Sequence, residues 1–137
     1  MKQSTRALDK RDFEQLSQFR YQMRRFERFS EQAAHADGIT PLQYLLLLHI
    51  KGYPGRDWAT VGELAERLQA HHHGVVALVT RCEAHGLVER RVSEHDRRQV
   101  EVHLCAEGEK QLARLAELHR TELNSLDGTF TIPQIDL

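Results

Sequence analysis

The chain has 137 residues, of which 40% are hydrophobic and 28% charged, a composition that fits one globular domain and excludes a disordered chain. It contains no apolar run long enough to span a membrane and no secretory signal at its start, so we expect a cytoplasmic protein. The formal net charge of −1 argues against a nucleic-acid-binding protein, which is often strongly basic.

Two helices are predicted first. Apolar or small residues recur every three or four positions over residues 11–34, and Gly38 follows as a helix terminator. A second helix begins at Pro41, with Thr40 as its cap, and its apolar run 45–50 predicts a central position in the core. The apolar side of the first helix is predicted to carry Phe13, Leu16, Phe19, Met23, Phe26, Ser30 and Ala33.

A helix-turn-helix is predicted next. Residues 60–63 combine a capping threonine with a glutamate three positions later and open a short helix. Another helix runs from about His72 to Ala84 and ends before Gly86. The inward positions of this pair are Leu64, Ala65 and Leu68 in the first helix and Val75, Leu78, Val79 and Cys82 in the second.

After Gly86 the apolar period changes to that of strands. Residues 87–92 and 99–104 are predicted to form a β-hairpin around the polar turn 93–97. In the second strand Val100, Val102 and Leu104 form the packed face, and Gln99, Glu101 and His103 the face in solvent. A last helix, from about Glu107, faces inward with Leu112, Leu115, Leu118 or His119, Glu122 or Leu123, and Leu126. The fold class is therefore mainly α with a small β-hairpin (α+β), a winged helix-turn-helix.

Short stretches around the hairpin sharpen this interpretation. Residues 86–90 read GLVER, the turn contains Asp96-Arg97-Arg98, residues 100–104 read VEVHL, and Gly108 follows. Over roughly residues 38–110 the chain resembles the MarR family of bacterial transcription regulators. The resemblance implies one domain over 1–137, with an N-terminal dimerisation helix at 11–36, a winged-helix DNA-binding lobe at 39–105 and a C-terminal dimerisation helix with a short tail at 106–137.

The same resemblance implies a homodimer that binds a near-palindromic operator in double-stranded DNA, most often as a repressor released by a small aromatic or phenolic effector. Asp96 would brace the turn, while Arg98 would enter the minor groove, where the potential is most negative. The candidate DNA-binding residues are His71, His72, His73, Val76, Arg81, Arg90, Arg91, Asp96, Arg97 and Arg98. The alternative is that charges at a hairpin tip are merely solvated.

The triple histidine at residues 71–73 begins the candidate recognition helix, where the free amides favour phosphate. Consecutive residues of a helix diverge by about 100°, so the three cannot all point at one metal ion, and we expect no metal or other cofactor. A solvated cap remains the alternative. Val76-Ala77 stand where the family usually has a polar residue followed by arginine, so the histidines would take over base or phosphate contacts and Val76 would meet a thymine methyl. DNA binding should then tighten as the pH falls and histidines take up protons.

Arg24, Tyr44 and His49 are candidate ligand-binding residues, because family effectors lodge between the dimer helices and the DNA lobe. A core tyrosine and a salt-bridged arginine are the alternative explanation. Cys82 and Cys105 are expected to pack as small apolar residues, with thiol regulation as the alternative, and Cys105 replaces a helix-capping threonine.

Beyond Asp127 the sequence departs from the family, which usually adds a long final helix. Here Pro133 interrupts the tail, and Phe130 and Ile132 would contact the other subunit of the dimer as an arm.

No catalytic motif is present, so we expect no enzyme. The alternatives are a winged-helix module that binds another protein and a metal- or redox-responsive sensor. The charge is unevenly distributed: residues 1–30 hold eight Lys/Arg and four Asp/Glu, a balance of +4, and residues 90–98 four and two, a balance of +2.

Overall fold

The computed structural model describes residues 6–126 and 130–135, and it contains five helices and three strands within them. The predicted fold class is confirmed. In chain order the elements are α1 (Lys10–Ala36), α2 (Pro41–Lys51), β1 (Trp58–Thr60), α3 (Val61–Leu68), α4 (His72–Ala84), β2 (Val88–Val92), β3 (Val100–Leu104) and α5 (Ala106–Ser125). None of the helices in this part of the chain combines the length and apolar character needed to cross a bilayer.

Side-chain caps fix where three of the helices begin. The predicted capping boxes are present at Thr40, which caps α2, and at Thr60, which caps α3. A third box, which sequence reasoning missed, joins Asp9 and Asp12 at the start of α1. The carboxylate of Asp12 also accepts a hydrogen bond from Arg6 at 2.6 Å, and these bonds lower the pKa of Asp12 to about 2.

The sheet has three strands in the order β1-β3-β2, all antiparallel, instead of the predicted two-stranded hairpin. The added strand β1 places Trp58 opposite His103, and the two rings stack at a centroid distance of 5.9 Å. His103 also lies 2.9 Å from the carboxylate of Glu101. The prediction that Glu101 and His103 face solvent is therefore wrong, because the ring of Trp58 and the contact between the two side chains partly cover them.

The core lies around α2, as its apolar sequence predicted. Leu46, Leu47 and Ile50 of this helix are fully buried, and they join the buried side chains of α3, α4, the sheet and α5 in one cluster. The predicted inward face of α4 is confirmed in full: Val75, Leu78, Val79 and Cys82 are buried. In α5, Leu112, Leu115 and His119 are buried, whereas Leu118 and Leu123 are exposed.

Helix α1 does not bury the whole apolar face that its periodicity predicted. Phe13 is 55% exposed and Leu16 37% exposed, and the buried residues of the helix are Asp12 and Ala34. Periodicity predicts which side of a helix is apolar, but it does not say whether the same chain covers that side.

The junction between β3 and α5 consists of one residue, Cys105. Its amide donates a hydrogen bond of 2.9 Å to the carbonyl oxygen of Leu87, and its side chain makes no cap bond to α5. One turn into α5, Gly108 packs so closely on the same carbonyl that a Cβ atom there would lie 2.1 Å from the oxygen. The hairpin formed by β2 and β3 is called the wing below. The contact with Leu87 explains the glycine that follows the wing in the sequence.

Candidate nucleic-acid interface

The loop between β2 and β3 is closed by its own hydrogen bonds. The hydroxyl of the buried Ser93 accepts from the amides of His95 and Asp96, both at 3.2 Å. The amide of Ser93 donates to Gln99, and the amide of Gln99 donates to Asp96. This loop, residues 93–99, is called the wing tip below, and its backbone is held without help from another element.

Asp96 and Arg98 form the charged part of the wing tip. One carboxylate oxygen of Asp96 accepts from the amide of Arg98 at 3.0 Å and from its Nε at 3.1 Å. These two bonds lower the pKa of Asp96, so the carboxylate stays ionised and the ion pair persists well below neutral pH. The side chain of Arg98 is nevertheless 90% exposed, and the neighbouring Arg97 is exposed as well. The tip thus presents two accessible guanidinium groups on a fixed backbone.

Arg90 lies against α4 and remains 28% exposed. Its guanidinium pairs with Glu83 at 2.7 Å, and it donates to the hydroxyl of Thr80 at 2.8 Å and to the carbonyl oxygen of Val76 at 3.0 Å. These bonds join the wing strand β2 to two turns of α4. By contrast, Arg91 pairs with Glu89 of its own strand and is exposed. Both arginines are candidate DNA-binding residues from the sequence, and in the structure Arg90 also links the strand β2 to α4.

The N-terminal end of α4 carries the three histidines on its surface. His71 occupies the cap position, but its side chain makes no cap hydrogen bond, and all three histidines are exposed. The rings of His71 and His73 stack at 5.9 Å, with 9° between their planes. Within residues 6–126 and 130–135, no group of three or more His, Cys, Asp or Glu is placed to hold a metal ion.

A groove of about 430 Å³ connects α4 with the wing. His72 and Val76 line it from the helix, Arg98 and Gln99 from the wing tip. Val76, Ala77 and Arg81 are exposed on α4 itself. His72 and Val76 of α4 and Arg98 of the wing tip, which lie about 25 residues apart in the sequence, therefore line one groove.

A second, more apolar groove of about 440 Å³ lies between α1, α2 and α5. Tyr44 lines it, and its ring stacks on that of the buried His119 at 4.7 Å. The Nδ1 of His119 carries a proton, because it lies 2.7 Å from the carbonyl oxygen of Leu115, which can only accept; its Nε2 lies 2.9 Å from the hydroxyl of Ser30. Burial raises the pKa of Tyr44, so the phenol stays neutral.

The three predicted ligand-binding residues do not meet in this groove. Arg24 lines a separate small cavity of about 150 Å³ together with Arg20. His49 is half-buried, and its pKa is lowered by burial and by the charge of Arg67. Sequence reasoning treated His119 only as an inward position of the last helix and missed its place beside Tyr44.

The cysteines are placed as packing residues. Cys82 is fully buried, and burial raises the pKa of its thiol to about 11. Cys105 is half-buried, and its pKa is raised by burial and by the charges of Glu89 and Glu83, the latter two partly offset by Arg91. Both thiols are thus poor nucleophiles in this environment.

Comparison with known proteins supports the interpretation drawn from the fold. The sequence profile of the MarR family matches residues 37–99. The putative transcriptional regulatory protein for the hcr operon of Thauera aromatica is 30% identical over 98 residues, which are 72% of this chain and 57% of that protein. The chain therefore spans little more than half the length of this curated relative.

Solved structures resemble this chain over most of its length. A MarR family protein from Bacillus stearothermophilus is 25% identical, with 91% of this chain and 86% of that chain covered and a TM-score of 0.75. AbsC, a MarR family transcriptional regulator from Streptomyces coelicolor, is 22% identical, with 94% and 86% covered and a TM-score of 0.77. A mutant MarR from E. coli, solved as a complex with operator DNA, is 23% identical, with 74% and 70% covered and a TM-score of 0.65.

Proposed function

We propose that this chain is a DNA-binding transcription regulator of the MarR family. It binds a near-palindromic operator as a homodimer, with α4 in the major groove and the wing tip in the minor groove of each half-site. The observation that carries the proposal is the shared groove, which puts the exposed face of α4 and the cationic wing tip on one surface.

The residues divide into DNA contacts and supports. Arg98 is suited to the minor groove because it is exposed at the end of a narrow, self-closed loop, while Asp96 sets the direction of its guanidinium. The exposed Arg81, Arg91 and Arg97 and the three histidines supply phosphate and base contacts. Arg90, which also lines the shared groove, positions the wing against α4.

Dimer formation is proposed through the uncovered apolar surface of α1 and α5. The tail residues 130–135 lie along α1, where Phe130 packs edge-on against Phe19 at 5.9 Å. The exposed apolar side chains of α1, α5 and the tail are suited to a second copy of the chain: Phe13, Leu16, Leu118, Leu123, Phe130 and Ile132. The mass of the protein in solution, measured by light scattering, should be that of two chains.

We place a small effector in the apolar groove beside Tyr44 and His119. Its volume of about 440 Å³ lies in the range of small-molecule sites, and its stacked rings and apolar lining favour a planar aromatic compound. Occupation of a groove between the dimer helices and α2 would alter the spacing of the two DNA-binding lobes. Phenol and benzoate are the probes, and binding should raise the melting temperature and release DNA.

The proposal is tested by selecting bound sequences from random DNA duplexes and measuring the salt dependence of binding to the selected duplex. A palindrome should be enriched, and log K should fall steeply with log salt concentration. Arg98→Ala should weaken binding, whereas Lys110→Ala, which removes an exposed cation from α5, should not. A flat salt dependence without an enriched palindrome would refute DNA binding and favour a protein partner.

A further inference from the structure

The outer face of α4 offers apolar groups where a DNA-reading helix usually offers hydrogen bonds. Val76 is 37% exposed, and Ala77 beside it is exposed as well. One turn further on, the hydroxyl of Thr80 donates to the carbonyl oxygen of Val76 at 3.0 Å and accepts from Arg90, so its proton is not available to a base. The middle of this face thus has methyl groups as its accessible chemistry.

The histidines complete this pattern because of their spacing. His72 precedes Val76 by four residues, and His73 precedes Ala77 by four, so each imidazole neighbours one of the apolar side chains on the helix surface. Arg81 follows Ala77 by four residues and continues the row of His73 and Ala77. The surface that would approach the bases therefore consists of two imidazole rings followed by two small apolar groups, with Arg81 one turn beyond Ala77.

The major groove contains one apolar group among its base edges, the C5-methyl of thymine, and both purines present an N7 acceptor. An imidazole N–H can donate to N7, and a valine or alanine can cover the methyl. We propose that α4 selects its operator by contacting the methyl groups of thymines at neighbouring base pairs through Val76 and Ala77, beside purines contacted by His72 and His73. This inference rests on the proposed function and specifies the chemistry of the DNA that the site takes.

Replacing thymine by deoxyuridine tests the proposal, because it removes the methyl group and leaves the base pairing intact. The selected duplex is prepared with deoxyuridine at each thymine of the half-site in turn, and at flanking thymines as a control. We expect a loss of about fourfold in affinity at a contacted thymine, the effect of one buried methyl group, and no loss at the flanks. Duplexes with 7-deazapurines test the N7 contacts in the same way.

The protein side of the contact is tested by combining Val76→Ala with the modified DNA. If Val76 covers the methyl, the deoxyuridine penalty at one thymine falls below about twofold in this variant, because the contact is already lost. Val92→Ala, which truncates an exposed valine of β2, should retain the full penalty. Val76→Thr keeps the shape of the side chain and serves as a control for effects on the fold.

The outcomes separate the two proposals. Tight binding to a selected palindrome that is indifferent to deoxyuridine, or an equal penalty in Val76→Ala and the unmodified protein, would overturn the methyl-contact proposal and leave DNA binding intact. A missing palindrome together with a flat salt dependence would overturn DNA binding itself. A penalty that disappears only in Val76→Ala would establish the contact.

Discussion

Replacement of Arg90 by methionine distinguishes a brace from a DNA contact. The variant keeps an apolar side chain of similar length and removes the guanidinium, which holds Glu83, Thr80 and the carbonyl oxygen of Val76. Because these bonds join β2 to α4, we expect the folded state to lose stability. A phosphate contact would leave the stability of the free protein unchanged.

The expected loss in the free energy of unfolding follows from the number of hydrogen bonds that Arg90 makes and from their exposure. Hydrogen bonds to a charged group contribute about 1.5–3 kcal/mol when buried, and exposed ion pairs about 0.2–1 kcal/mol. The side chains of Arg90 and Glu83 are 28% and 38% exposed, which places the three bonds between these limits. We expect a loss of about 2 kcal/mol in the free energy of unfolding and, at about 4 °C per kcal/mol for a chain of this size, a melting temperature lower by about 8 °C.

Urea unfolding followed by circular dichroism measures this loss, and Arg91→Met is the matched control. Arg91 pairs with Glu89 of its own strand, lies 3.5 Å from Nδ1 of His103 and is more exposed, so its replacement should cost less than about 0.5 kcal/mol. The slope of log K against log salt concentration should stay unchanged in Arg90→Met, whereas loss of a phosphate contact would reduce it by about 0.9. A wild-type melting temperature combined with a reduced slope would refute the brace.

Three further predictions concern the fold. Gly108→Ala should destabilise the protein by about 3 kcal/mol or more in urea unfolding, because its Cβ would meet a backbone oxygen at 2.1 Å. Gly74→Ala, whose Cβ would meet no atom within 4 Å, should stabilise the protein by about 0.5–1 kcal/mol. Equal stability of the two variants would contradict this prediction. Because the pKa of Asp12 is lowered to about 2, its contribution to stability is complete above a pH of about 4 and is lost as the pH falls toward 2. Asp12→Asn should therefore flatten the pH dependence of the melting temperature over that interval. An unchanged pH dependence would disprove the assignment. Iodoacetamide at pH 8 should label Cys105 before Cys82, whose pKa is raised to about 11, as mass spectrometry of the native protein can show; comparable rates would mean that Cys82 is not buried.

Most of the fold was predictable because its signals are local. Capping boxes at Thr40 and Thr60 fixed the starts of two helices, and the periodicity of α4 fixed its buried face. Strand β1 was not predictable in this way, because three residues are too few to establish an alternating pattern and its partner strand lies more than 40 positions along the chain. Contacts between distant segments leave little trace in a single sequence.

The candidate site was predictable in composition but not in detail. Asp96 and Arg98 are neighbours in sequence, so their pairing follows from the turn itself. The role of Arg90 depends on Glu83 and Thr80, which belong to another element, and an arginine beside a wing has the same appearance whether it binds phosphate or protein. The groove beside His119 needs three helices at once, so no single segment predicted it.

The single-residue junction at Cys105 has a mechanical consequence for regulation. The wing strand passes into α5 without a flexible loop, and the carbonyl oxygen of Leu87 fixes both sides of the junction through the amide of Cys105 and the close approach of Gly108. We therefore expect the wing and α5 to turn together. In the proposed dimer, a change of a few degrees in the angle between the two α5 helices would alter the separation of the wing tips in proportion. A ligand bound against α5 would then change the operator spacing that the dimer accepts without deforming either lobe.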